Sequence, residues 1–153
     1  MAKLDLSTIP ERRGTDYPAE FASQMGQRMR QALGAAGGLT QFGVNRLELP
    51  AGSWSSQRHW HSLEDEFVYV LAGEVVLVTD AGEEIMRAGD CAAFPANAPN
   101  GHHLINRGSG LAVCLEVGSR NARDRVVYAD IDMVSEPGID GYLHRDGRAY
   151  PEK

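Results

Sequence analysis

Residues 39–128 alternate short β-branched and aromatic runs with turn residues, a texture that predicts strands. Phe42–Leu49 alternates apolar and polar positions and stops at Pro50. In Glu66-Phe-Val-Tyr-Val-Leu-Ala-Gly73, one face receives Glu66, Val68 and Val70, and the other Phe67, Tyr69 and Leu71. Glu74–Thr79 runs into Asp80-Ala-Gly82, a hairpin signal. Runs at 84–87, 91–94, 102–107 and 111–117 follow, separated by a Gly89-Asp90 turn, a long turn from Pro95 to Gly101, and a short break. Short, regularly spaced strands of this kind predict an all-β sandwich or barrel.

The flanks differ. The first fourteen residues are polar and carry Pro10 and Gly14, as an arm would. Residues 19–33 favour helix, with Phe21, Met25, Met29 and Leu33 at four-residue spacing, but Gly26 interrupts. One helix or two short turns both satisfy that pattern, and Gly34, Gly37 and Gly38 end it. After Ser119 the chain is polar but carries Tyr142, His144 and Tyr150. The expected organisation is an arm with a short helix (1–38), a barrel (39–128) and an irregular tail packing on the barrel (129–153).

A length of 153 residues suits one domain with a sizeable core. The net charge of -6 argues against a broad grip on nucleic acid or an anionic membrane surface. No apolar run approaches membrane-spanning length, and the first residues have no export-type apolar core. Cys91 and Cys114 lie in strand-like stretches. They read as reduced thiols of a cytoplasmic protein.

The chemistry concentrates in Arg58-His59-Trp-His61-Ser-Leu-Glu-Asp-Glu66. On a strand, His59 and His61 point the same way. Imidazole and carboxylate together are the usual donors for a first-row divalent metal. Gly52, His59, His61, Glu66 and Gly73 match G-(X)5-H-X-H-(X)3,4-E-(X)6-G, with one extra residue after Gly52. Gly89 and Pro95 begin the second motif, G-(X)5-P-X-G-(X)2-H-(X)3-N. Asn97 replaces its turn glycine, a position asparagine tolerates. Asn100 stands where its histidine would fall, and His102-His-Leu-Ile-Asn106 restores the ending two residues later.

On these motifs the chain resembles a small single-domain cupin. The resemblance implies a double-stranded β-helix, or jelly-roll barrel, holding one divalent transition metal (Zn, Fe, Mn or Ni). Its implied ligands are His59, His61, Glu66 and His102. His103 is the rival third histidine, facing the opposite way on a regular strand.

Other residues carry weaker signals. Glu64 and Asp65 read as solvated turn charges, and Trp60 as packing. Arg58 and Arg107 are candidates for an anionic substrate group. Asn106 either fixes a ligand imidazole or caps a strand. His144 reads as exposed by default. Cys114 and Glu116 share a strand face, and Glu116 or Glu48 would serve as base only if inward-facing. No catalytic residue is assigned. The resemblance implies a metal-dependent enzyme acting on a small polar metabolite, by sugar or sugar-phosphate isomerisation or by dioxygenase chemistry. The alternative is a non-catalytic cupin that binds or senses a small molecule. A homodimer is expected, because apolar strand edges and the arm need cover.

Overall fold

The computed structural model describes residues 3–151. Among these, the strands are β1 (Arg12–Arg13), β2 (Met29–Ala32), β3 (Phe42–Leu49), β4 (His59–His61), β5 (Glu66–Ala72) and β6 (Glu74–Thr79). They continue with β7 (Gly82–Arg87), β8 (Cys91–Phe94), β9 (His103–Ile105), β10 (Ala112–Ser119), β11 (Val126–Tyr128) and β12 (Val134–Ser135). The large antiparallel sheet has the order β1-β2-β3-β10-β5-β8. Two three-stranded sheets, β7-β6-β9 and β12-β11-β4, complete the all-β framework.

Alternation explains how the sheets close on each other. Leu47 and Leu49 on β3, Val68 and Val70 on β5, and Ala112 and Cys114 on β10 turn inward. There they meet Val75 and Leu77 on β6, Met86 on β7 and Leu104 on β9. Each fully buried aliphatic side chain in this cluster contributes roughly 1.5–3 kcal/mol. On the opposite face of β5, Phe67, Tyr69 and Leu71 remain 38%, 38% and 47% exposed. A second cluster of Tyr17, Met25, Tyr128 and Met133 lies beside the first, with Tyr142 and Tyr150 of the C-terminal segment against it.

Of the two readings of the 19–33 segment, short turns form and the single helix does not. Two 3-10 turns, Ala19–Phe21 and Ser23–Met25, occupy its first half, and β2 occupies most of the second. A single helical turn, α1 (Leu33–Ala36), follows. Gly26 breaks the helical run, and β2 instead satisfies the free edge of β3, pairing Met29 with Glu48 and Gln31 with Arg46. Met29 and Gln31 are then buried beneath the N-terminal segment, where Gln31 Nε2 donates to the carbonyls of Leu6 and Ile9. Tertiary pairing outweighs a propensity worth tenths of a kcal/mol per residue.

Candidate metal centre

His59 and His61 lie on β4, which β11 pairs in antiparallel register, His61 opposite Val126 and His59 opposite Tyr128. Glu66 opens β5. His102 sits just before β9 and makes an isolated bridge to His59 through two backbone hydrogen bonds. The turn leading to it depends on two special positions. Asn97 has φ 57°, the one positive φ of a non-glycine among the described residues, and its N–H donates to the His61 carbonyl. Gly101 passes so close to Ala129 that a Cβ there would lie 2.6 Å from the Ala129 Cβ.

His59, His61 and Glu66 each offer one ligand atom, all within 4.8 Å of one another. Glu66 Oε2 lies 3.6 Å from His59 Nε2, 3.4 Å from His61 Nε2 and 2.9 Å from His102 Nε2. His102 joins the group through Glu66 and stacks flat on Phe94, with centroids 3.6 Å apart. The far nitrogens explain the orientation of two rings. His59 Nδ1 lies 2.9 Å from the Gln57 carbonyl, and His61 Nδ1 lies 2.6 Å from Asp124 Oδ2. Each acceptor takes the Nδ1 side of its ring and so turns Nε2, the atom a cation would take, toward Glu66. His102 Nδ1 is buried without a partner among the described residues.

Electrostatics follow from this packing. Burial would raise the Glu66 pKa, but hydrogen bonds from His102 and His59 prevail and hold its carboxyl well below the usual range. Burial opposes charge on His59, yet Glu66 outweighs it and raises that pKa. At His102 burial wins over Glu66, and the pKa falls. Three imidazoles around a carboxylate are a donor set that fits one first-row divalent cation, which would bind the rings in their neutral form.

The group lies in the wall of a cavity of about 310 Å³, at the small end for small-molecule sites. Glu116 faces this cavity from β10, paired with Arg30 Nη2 at 3.1 Å. Glu48 lies on the other face of β3, against Arg46.

Several other residues take roles the sequence did not indicate. Arg58 is held by Asp130 and Asp80, and Arg107 by Glu83, so neither offers an anion site. The arginines that line the cavity are Arg12, Arg28, Arg30 and Arg120. Asn106 donates to the Leu49 and Gly110 carbonyls and accepts from Gly108 N–H, fixing a turn rather than an imidazole. His103 turns to the Ser56 carbonyl and packs edge-on against Trp54. His144 stacks on Tyr150 and bonds Asp132. Glu64 lines the cavity and accepts from Asn121 N–H, so it is more than a solvated charge. Asp124 was missed altogether; it follows His61 by 63 residues, and no local spacing marks it.

Comparison with known proteins agrees with this architecture. The cupin domain family profile matches residues 45–118. A structure from Silicibacter pomeroyi described as a sugar phosphate isomerase from a cupin superfamily superposes with TM-score 0.92 and 44% identity, covering 98% of this chain and 97% of that one. The chain therefore belongs to the cupin superfamily. An Acidithiobacillus ferrooxidans protein, provisionally named a sugar phosphate isomerase, matches with TM-score 0.72 and 28% identity over 83% of this chain and 82% of its own. The polyketide cyclase RemF of Streptomyces resistomycificus, at 19% identity and TM-score 0.64 over 78% and 79%, shares the fold. A search among curated proteins found no match.

Proposed function

We propose that this protein is a metal-dependent isomerase of a small polyhydroxy carbonyl compound, a sugar or sugar phosphate. The observation that carries this reading is the convergence of three imidazole Nε2 atoms on the Glu66 carboxylate, in a cavity that also presents a second carboxylate, Glu116. The full-length similarity to the Silicibacter pomeroyi protein supports it.

In this reading His59, His61, Glu66 and His102 hold the metal. A bound divalent cation would polarise the substrate carbonyl and balance charge developing on its oxygen. Glu116 takes the proton from the carbon beside the carbonyl and returns it to the neighbouring carbon, while a hydroxyl proton passes between the two oxygens. Arg30 orients Glu116. Asp124 and Gln57 keep the His61 and His59 rings in place during turnover. We further propose that two copies pair through the outer face of the large sheet, where Phe67, Tyr69 and Leu71 are exposed. Free Cys91 and Cys114 support a reducing, cytoplasmic setting.

The test is reconstitution with Zn, Fe, Mn or Ni, followed by a panel of aldoses, ketoses and their phosphates monitored by proton exchange and product formation. The expected result is isomerisation by wild type and loss of both bound metal and activity in His61→Ala, with the fold intact. Oxygen uptake without isomerisation would replace this reading with dioxygenase chemistry. Reversible binding that returns every compound unchanged would make the protein a sensor.

A further inference from the structure

Two chemically different groups line the cavity. One is His59, His61, His102 and Glu66. The other is built by Arg28 and Arg30, two residues apart in sequence on the edge where β2 joins the large sheet. Arg28 is 9% exposed and has no carboxylate ion-pair partner among the described residues. Its Nε donates to the Gly14 carbonyl at 3.0 Å and its Nη1 to the Ser55 carbonyl. These neutral acceptors pin the guanidinium but leave its charge uncompensated. Among the described residues Arg30 meets Glu116 through Nη2 alone, and its buried Nε has no acceptor. A buried cation lacking a counter-charge is costly unless a ligand supplies one.

We infer that Arg28 and Arg30 form an anion subsite that seats the phosphate monoester of a phosphorylated substrate, whose carbonyl end lies at the histidine group. This rests on the function proposed above for the identity of the substrate, but not for the existence of the subsite. A phosphate monoester carries close to two negative charges and three acceptor oxygens, which suits two incompletely satisfied planar forks. A neutral sugar would leave the Arg28 charge unanswered and the Arg30 fork only partly bonded. Burial, followed by the field of neighbouring Arg30, pushes the Arg28 pKa down.

Calorimetry tests the subsite without turnover. Metal-free wild-type protein, the same protein reloaded with metal, and the His61→Ala variant are each titrated with glucitol 6-phosphate, glucitol and gluconate. None of these has the carbonyl that isomerisation requires. The phosphate ester is expected to bind all three preparations about tenfold or more tightly than glucitol. Arg30→Gln and Arg28→Lys, each checked for an unchanged circular dichroism spectrum, are expected to lose most of that preference while still binding glucitol. Arg28→Lys keeps charge but not the fork, and Arg30→Gln keeps the protein testable if Arg28 proves essential for folding. Equal binding of ester and polyol by wild type, stronger binding of gluconate, or an undiminished preference in Arg30→Gln would overturn the inference. Isomerisation of a neutral sugar without phosphate preference sinks the subsite and leaves the proposed function standing. Phosphate preference without isomerisation does the reverse.

Discussion

At the scale of single residues, the metal-centre reading depends on ring orientation as much as on ligand identity. Asp124 illustrates this. It receives three hydrogen bonds, from the His61 ring, Ser62 Oγ and Leu63 N–H, and so fixes both a side chain and the turn after β4. Asp124→Asn keeps the shape but removes the anion that makes His61 a stronger donor. It is expected to weaken metal affinity about 10- to 100-fold, measured by competition with a chromogenic chelator. Unchanged affinity would show that His61 needs no such support. The pair His59 and His61 could be read from sequence because strand alternation alone aligns them. Asp124 could not, since only the pairing of β4 with β11 brings the residues before Val126 to β4.

At the scale of elements, β10 is the organising strand, flanked by β3 on one side and β5 on the other. Its alternation sends Cys114 into the core and Glu116 into the cavity. Burial, with a smaller contribution from Glu116, pushes the Cys114 thiol up to about 12 from an ordinary 9.0. A raised thiol pKa leaves stability unaffected below about pH 9, where the thiol is protonated in both folded and unfolded chains. Stability then falls from pH 9 toward 12, as the unfolded chain alone releases the proton. Denaturant titrations between pH 8 and 11 are expected to show this decline in wild type and a shallower one in Cys114→Ala. In native protein at pH 8, exposed Cys91 is expected to react with iodoacetamide while Cys114 stays unmodified, read by peptide mass mapping. The 19–33 segment is the opposite case. Its local preference was helical, but the unpaired edge of β3 converted Met29–Ala32 into a strand, a decision made by a partner some fifteen residues away.

At the scale of the whole molecule, the part of the large sheet's outer face around β5 presents exposed apolar side chains, Phe67, Tyr69 and Leu71. Leu115 and Val117 of β10 pair with Tyr69 and Phe67 of β5 on this outer face. This apolar patch is the surface that the proposed pairing would bury. Wild-type protein is expected to sediment as a dimer, and Tyr69→Glu to shift toward monomer without losing β structure. A monomeric wild type would remove the proposed pairing.

The sequence by itself determined the strand alternation, the inward set of β5 and the nearness of His59, His61 and Glu66, because these follow from a backbone period of two and short chain separations. The asparagine-for-glycine exchange at the motif turn was also legible, and Asn97 adopts the positive φ that the exchange requires. Only the tertiary structure decided the partners that lie far apart along the chain. It set Asp124 behind His61, turned Arg58 and Arg107 away toward acids, and gathered Arg28 and Arg30 around the cavity instead. Such choices are fixed by which strands pair and which charges are already neutralised, and neither is encoded in local spacing.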